Sequence, residues 1–263
     1  MSAARHGAAG EVAVADAVVG DLAAFGPFFA VQTHHPGSIP REPWHAMKEL
    51  VENPDVLMNR VAAVRSRLAT ASGQAPESVE LRVAASVTHL GLVARLISPA
   101  LAVAVTSGEL LEVDLDSTWW QRVLGGAVPL SVQRDADADA SDQDARPERL
   151  ARRLAGQVLD GPVRGLVEVT MALSVSPQVL WGNVASAVNG AASMITASQP
   201  AWTNRARVIT SLLLDQPPLR DTATASADGR FRRRSCCLIY RAAPNATGGV
   251  CGDCVLSGDP MVY

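Results

Sequence analysis

Arg232-Arg-Arg-Ser-Cys236-Cys237 and Cys251-Gly-Asp-Cys254 hold all four cysteines of a 263-residue chain, gathered within residues 236–254 near its C-terminus. Thiols scattered by chance would not cluster this way. A chain of 27.6 kDa can bury a hydrophobic core without using them as staples. The stretch therefore reads as a site-bearing segment attached to a body that folds on its own apolar residues. No secretory leader is expected, because Glu11, Asp16 and Asp21 follow Arg5 and interrupt any apolar run. Outside a secretory context, clustered cysteines point to metal or redox chemistry rather than disulfides.

The composition of the body favours helix. Hydrophobic residues make up 48% of the chain and aromatics only 4%, with Ala, Val and Leu dominant and no aromatic enrichment of the all-β kind. The net charge of −3 gives no general case for nucleic acid or an anionic surface as partner. Val12, Ala15, Val19 and Leu22 mark a helix over 9–25 that Gly26-Pro27 ends. Asn53-Pro54-Asp55 reads as a helix start, with a capping side chain, a proline at the first helical position and an acid at the positive end. Val83, Val87, Leu90 and Ala94 share a face of the next helix, opened by Pro76-Glu77 and kinked or restarted at Ile97-Ser98-Pro99. Within it, His89 reads as a hydrogen-bonded core histidine and Arg95 as a snorkelling arginine. Further helices follow from Pro147, over 162–174, from Ser176-Pro177 and from Pro200 towards Leu214.

Three segments break this pattern. Residues 28–43 read as a polar loop carrying His34 and His35, with His45 beyond it. Period-two alternation at 112–116, Trp119-Trp120 and the apolar 128–132 predict a small β-hairpin near 110–132. The alternating aspartates of about 135–146 lack the glycine that a calcium loop needs at its sixth position, and read as an acidic linker. Val169 to Asn204 holds no charged residue or histidine, but its Asn, Gln, Ser and Pro content makes it a core helix rather than a membrane span. There, Gly182, Ser186 and Gly190 lie on one face and invite close helix packing. The fold expected is mainly α (α+β): a helical domain over 1–220 and a C-terminal four-cysteine iron–sulfur module over 228–263.

Four thiolates complete a 2Fe–2S unit. Structural zinc is usually held by two Cys-x(2–4)-Cys knuckles, and only the second pair here is one. Adjacent residues such as Cys236 and Cys237 point in opposite directions in an extended chain, which suits a broad two-iron unit better than one tetrahedral ion. Zinc and disulfides remain the alternatives. Gly248, Gly249 and Gly252 are expected to bring N–H groups to the sulfurs, and Arg230, Arg232, Arg233 and Arg234 either offset the cluster's charge or dock an acidic redox partner. No phosphate-binding glycine loop, dinucleotide fingerprint or nucleophile elbow is found in the sequence, so electrons are expected from another carrier.

Arg-Ser-Cys236-Cys237-Leu-Ile-Tyr-Arg … Cys251-Gly-Asp-Cys254 resembles the C-terminal cluster motif of the FhuF-type ferric-siderophore reductases. Leu180-Trp-Gly-Asn-Val-Ala-Ser186 and Ala94-Arg-Leu-Ile-Ser-Pro99 extend the likeness over residues 80–263. The family usually places ten residues between its cysteine pairs, and this chain has thirteen, a change that costs little closure entropy. The resemblance implies a 2Fe–2S cluster on Cys236, Cys237, Cys251 and Cys254 that reduces chelated Fe(III) in the cytoplasm. It also implies a ferric siderophore as substrate, an external electron donor such as a ferredoxin or reductase, and peripheral association with the cytoplasmic membrane. A ferredoxin-like carrier or an iron- or redox-responsive binding protein is the alternative.

Overall fold

The computed structural model describes residues 22–134, 146–225 and 230–256. The acidic run and most of the first expected helix lie outside them; within them, Leu22–Phe25 form a 3-10 turn.

Helices dominate, as the composition predicts. They are α1 (Glu49–Glu52), α2 (Pro54–Ala71), α3 (Leu81–Thr106), α4 (Pro147–Leu154), α5 (Arg164–Met171), α6 (Pro177–Ser198) and α7 (Thr203–Leu214). The starts read from local signals are in place. The Asn53 side chain accepts from Asp55 N–H at 3.1 Å ahead of α2, and Ser176 Oγ accepts from Val179 N–H at 3.4 Å ahead of α6. Pro76 opens only a 3-10 turn, and α3 begins at Leu81. The helix expected over 162–174 is α5, and a wide π-type stretch over Ala155–Val163, distorted at Gly161, leads into it.

α3 is the centre of the molecule and packs most extensively on α6. It runs unbroken through Pro99. It is also long and apolar enough to cross a bilayer, but 78% of that window is buried inside the protein. Apolar burial at roughly 25 cal/mol per Å² is the term that holds such a helix in place.

Arg95 does not snorkel. It is 1% exposed and donates to three backbone carbonyls, Val128 O at 2.5 Å, Ala30 O at 2.7 Å and Phe28 O. Its guanidinium thereby clamps two distant chain segments onto α3.

The hairpin forms at β3 (Trp119–Trp120) and β4 (Leu130–Gln133), joined by β1 (Gln32–His34) and β2 (His45–Ala46) in the order β1-β4-β3-β2. The alternating residues 112–116 form no strand. The histidine segment, expected as loop, supplies β1 instead: it pairs parallel to β4, with His34 opposite Gln133 and its Nδ1 2.8 Å from Ser131 Oγ. A parallel partner 99 residues away leaves no trace in local periodicity. The remaining strands, β5 (Ala223–Ala225) and β6 (Phe231–Arg233), make an antiparallel ribbon that delivers the chain to the cysteines.

Replacing Arg95 by Met leaves three inward carbonyls without a donor. We expect it to lower unfolding stability by roughly 3 kcal/mol or more, read from urea denaturation, with helical circular dichroism retained before the transition.

Candidate iron–sulfur site

The cysteine segment rests on the face shared by α3 and α6, and each contact comes from a particular small or polar residue. Ser86 Oγ of α3 donates to Cys237 O at 2.9 Å. Asn183 of α6 holds that serine in turn, its Nδ2 lying 3.0 Å from Ser86 O and 3.2 Å from Ser86 Oγ. On the other side, Ser235 Oγ donates to Gln178 O at 2.8 Å and Arg233 Nη2 to Val179 O at 3.1 Å, both carbonyls in the first turn of α6. A Cβ on Gly182 would collide with Ser235 Oγ and stand 2.9 Å from Arg233 Nη2. The row Gly182, Ser186, Gly190, expected to seat another helix, therefore receives the cysteine segment. Gly182 admits Arg233 and Ser235, Ser186 faces Asp253, and Gly190 is exposed.

The segment is fastened at its middle as well. Ala242, Leu238 and Ile239 pack with Ala69, Val79 and Val83 in a small apolar cluster. Gln74 Nε2 donates to Ala242 O at 2.5 Å, and Arg241 pairs with Glu80 at 2.5 Å. The thirteen residues between the cysteine pairs are thus a docked excursion. Gly248 is required there, because a Cβ would lie 2.6 Å from Tyr240 O.

None of the four cysteines is in a disulfide. Cys237 and Cys254 are buried, while Cys236 and Cys251 are half-buried at the edge. The 3.0 Å bond from Arg233 N–H to Asp253 O joins the first pair's strand to the second pair's turn, and Cys254 N–H closes that turn on Cys251 O at 3.1 Å. Hydrogen bonding to Cys251 holds the Cys237 thiol down to about 6, and the same interaction, with burial, pushes Cys251 up. Burial pushes Cys236 up despite the Leu238 amide.

The N–H groups that reach sulfur are not those of the glycines. Leu238 N–H donates to Cys236 Sγ and Leu256 N–H to Cys254 Sγ, each at 3.3 Å, and Ile239 N–H reaches Cys237. Each of these sulfurs is served by the amide two residues on. Leu238 achieves this with a left-handed backbone, φ 70°. Such bonds favour the thiolate and raise a bound cluster's potential.

Four thiols with amides aimed at three of the sulfurs are the donor chemistry that a 2Fe–2S unit takes. Two buried Arg233 nitrogens, Nε and Nη1, also lack a partner beside the thiols. Among the described residues, no three His, Cys, Asp or Glu side chains are grouped to hold a metal ion, the four cysteines and His34, His35 and His45 included. The family model described as FhuF 2Fe-2S C-terminal domain matches residues 233–256.

Residues 233–256 are thus similar to an FhuF-type 2Fe–2S domain. Its cofactor is a 2Fe–2S cluster. The match begins at Arg233 and leaves the helical body outside it. No curated protein matches the chain.

Sequence reasoning singled out the cysteines and missed the platform under their segment: Ser86, Asn183, Gly182 and, among four neighbouring arginines, Arg233. His89 belongs to the same polar layer. It is buried, with Nδ1 3.5 Å from Asn183 Nδ2 and Nε2 without a partner. Burial first, then the Arg233 charge, hold its pKa down to about 3, against an ordinary 6.5.

The tight seat at Gly182 is open to direct test. Gly182→Ala should displace Ser235 and Arg233 and cut iron and acid-labile sulfide per chain severalfold, with helical circular dichroism nearly unchanged. A second expectation concerns pH. Between the two His89 pKa values the unfolded chain binds a proton that the folded chain refuses, so stability rises with pH there and is lost as pH falls. From pH 7 to pH 5 the wild type should lose roughly 2 kcal/mol more than His89→Gln in urea denaturation.

Proposed function

We propose that the protein is a cytoplasmic ferric-siderophore reductase, with residues 1–220 as the helical substrate-recognising domain and 228–263 as the electron-donating module. The observation that carries this reading is the FhuF-type 2Fe–2S domain docked directly on the helical body. A cluster held by Cys236, Cys237, Cys251 and Cys254 supplies one electron at a time. Transfer of that electron to a chelated Fe(III) needs proximity and a suitable potential, and no acid, base or nucleophile. Fe(II) binds such chelators far more weakly, so reduction amounts to release.

A cleft of about 790 Å³ supports substrate recognition by the body. It lies between the C-terminal half of α6, α7 and the β5–β6 ribbon, and its lining includes Arg207, Arg220, Thr210 and Phe231. That volume falls in the range of small-molecule sites. Thr210 Oγ1 is buried without a partner. Strand β6 runs from this cleft to the cysteines, with Phe231 on the cleft and Arg233 beside the thiols. We assign the chelate to this cleft. The electron comes from an external donor such as a ferredoxin or reductase, and the reaction is cytoplasmic, with peripheral association at the membrane.

The test uses anaerobically reduced protein mixed with ferric siderophores of different chelating groups and a ferrous-iron trap. Reoxidation of the cluster in step with trapped Fe(II) is the expected result. Reduced protein that no chelate reoxidises, yet which passes its electron to a ferredoxin, would replace the reductase with a carrier.

A further inference from the structure

The four arginines ahead of the cysteines occupy different environments. Arg230 and Arg234 are exposed and Arg232 is half-buried, whereas Arg233 is 1% exposed and among the largest fully buried side chains. Its backbone N–H is fixed to Asp253 O, its Nη2 is fixed to Val179 O, and Gly182 clears the space beside it. Nε and Nη1 are buried and make no hydrogen bond. A guanidinium taken out of water with two donors unspent is costly unless negative charge lies against it. Burial pushes the guanidinium below its ordinary range, and Cys237, Cys251, Cys236 and Asp253 oppose this by stabilising its charge. The adjacent histidine, His89, stays neutral and adds no second cation to the layer.

We propose that Arg233 is the built-in counter-charge of the cluster and sets its reduction potential, acting as a positioning residue held by α6. The proposal rests on ligation by the four cysteines and holds whether or not the electron acceptor is a ferric chelate. An oxidised cluster with four thiolates carries about −2 charge, and reduction adds one more negative charge. A fixed cation next to the thiolates favours the reduced form. Because it is buried, its effect is weakly screened by salt, whereas the effect of the surface arginines fades beyond a Debye length. The distinction between Arg233 and its neighbours is therefore measurable.

The experiment is an anaerobic redox titration of the full chain with mediator dyes, followed by visible absorbance, alongside iron and sulfide analysis. Arg233→Gln should shift the equilibrium at least tenfold towards the oxidised form, about 59 mV more negative for a one-electron couple. Arg233→Lys should recover most of that shift, and the surface control Arg234→Gln should move it much less. The proposal is overturned by a fully loaded Arg233→Gln protein with an unchanged potential, or by a lysine variant that falls as far as glutamine. If Arg233→Gln does not retain its cluster, the wild type decides. A potential nearly constant between about 0.05 and about 0.5 M salt supports a buried counter-charge. A tenfold or larger move towards the oxidised form over that range assigns the effect to the surface arginines.

Discussion

The docking of the cysteine segment onto the small-residue face of α6 is the constraint on which the rest of the structure depends. Gly182 leaves room for Arg233 and Ser235 to reach the first-turn carbonyls of α6, and Ser86 of α3 holds Cys237 O from the other side. Those contacts require α3 and α6 to lie together in a fixed register. The length and burial of α3 supply that register, and Arg95 locks it to the N-terminal strand and the sheet. A polar layer this deep is stable only when nearly all its members are satisfied. Its unsatisfied atoms include those of Asn183, His89, Ser186 and Arg233, with Asn183 against His89, and Arg233 close enough to lower the His89 pKa and to feel the thiols. That is where a strong charge, once present, has most effect.

Burial divides the site into two sides. Cys237 and Cys254 face the body, and Cys236 and Cys251 lie at the edge. The body side carries Arg233 and the outer side the exposed Arg230 and Arg234. Amides two residues beyond three of the cysteines aim at sulfur. The potential of the site is thus shaped by elements of different origin: local turns give the N–H groups, and the helical body gives the seat of the buried charge.

Much of the architecture was readable because its causes are local. Asn53 and Ser176 cap the helices they were expected to cap, since a cap needs only the next three residues. Two readings failed where the decisive partner is remote. His34 joined a strand through β4, and Arg95 went fully inside because carbonyls from two other segments converge on it. The glycines near the second cysteine pair were credited with sulfur contacts that belong to Leu238, Ile239 and Leu256. A left-handed backbone at a leucine cannot be foreseen from its side chain.

By itself the sequence determined the helical class, the hairpin at Trp119-Trp120, and the four thiols with their uneven spacing. Each depends on periodicity, propensity or the count of a reactive residue, and these are properties of neighbouring positions. Only the tertiary structure decided which of four neighbouring arginines is buried, what the Gly182 row accommodates, and which face of the body receives the cysteines. Those outcomes depend on distances between residues about 50 to 150 positions apart, and only packing sets such distances.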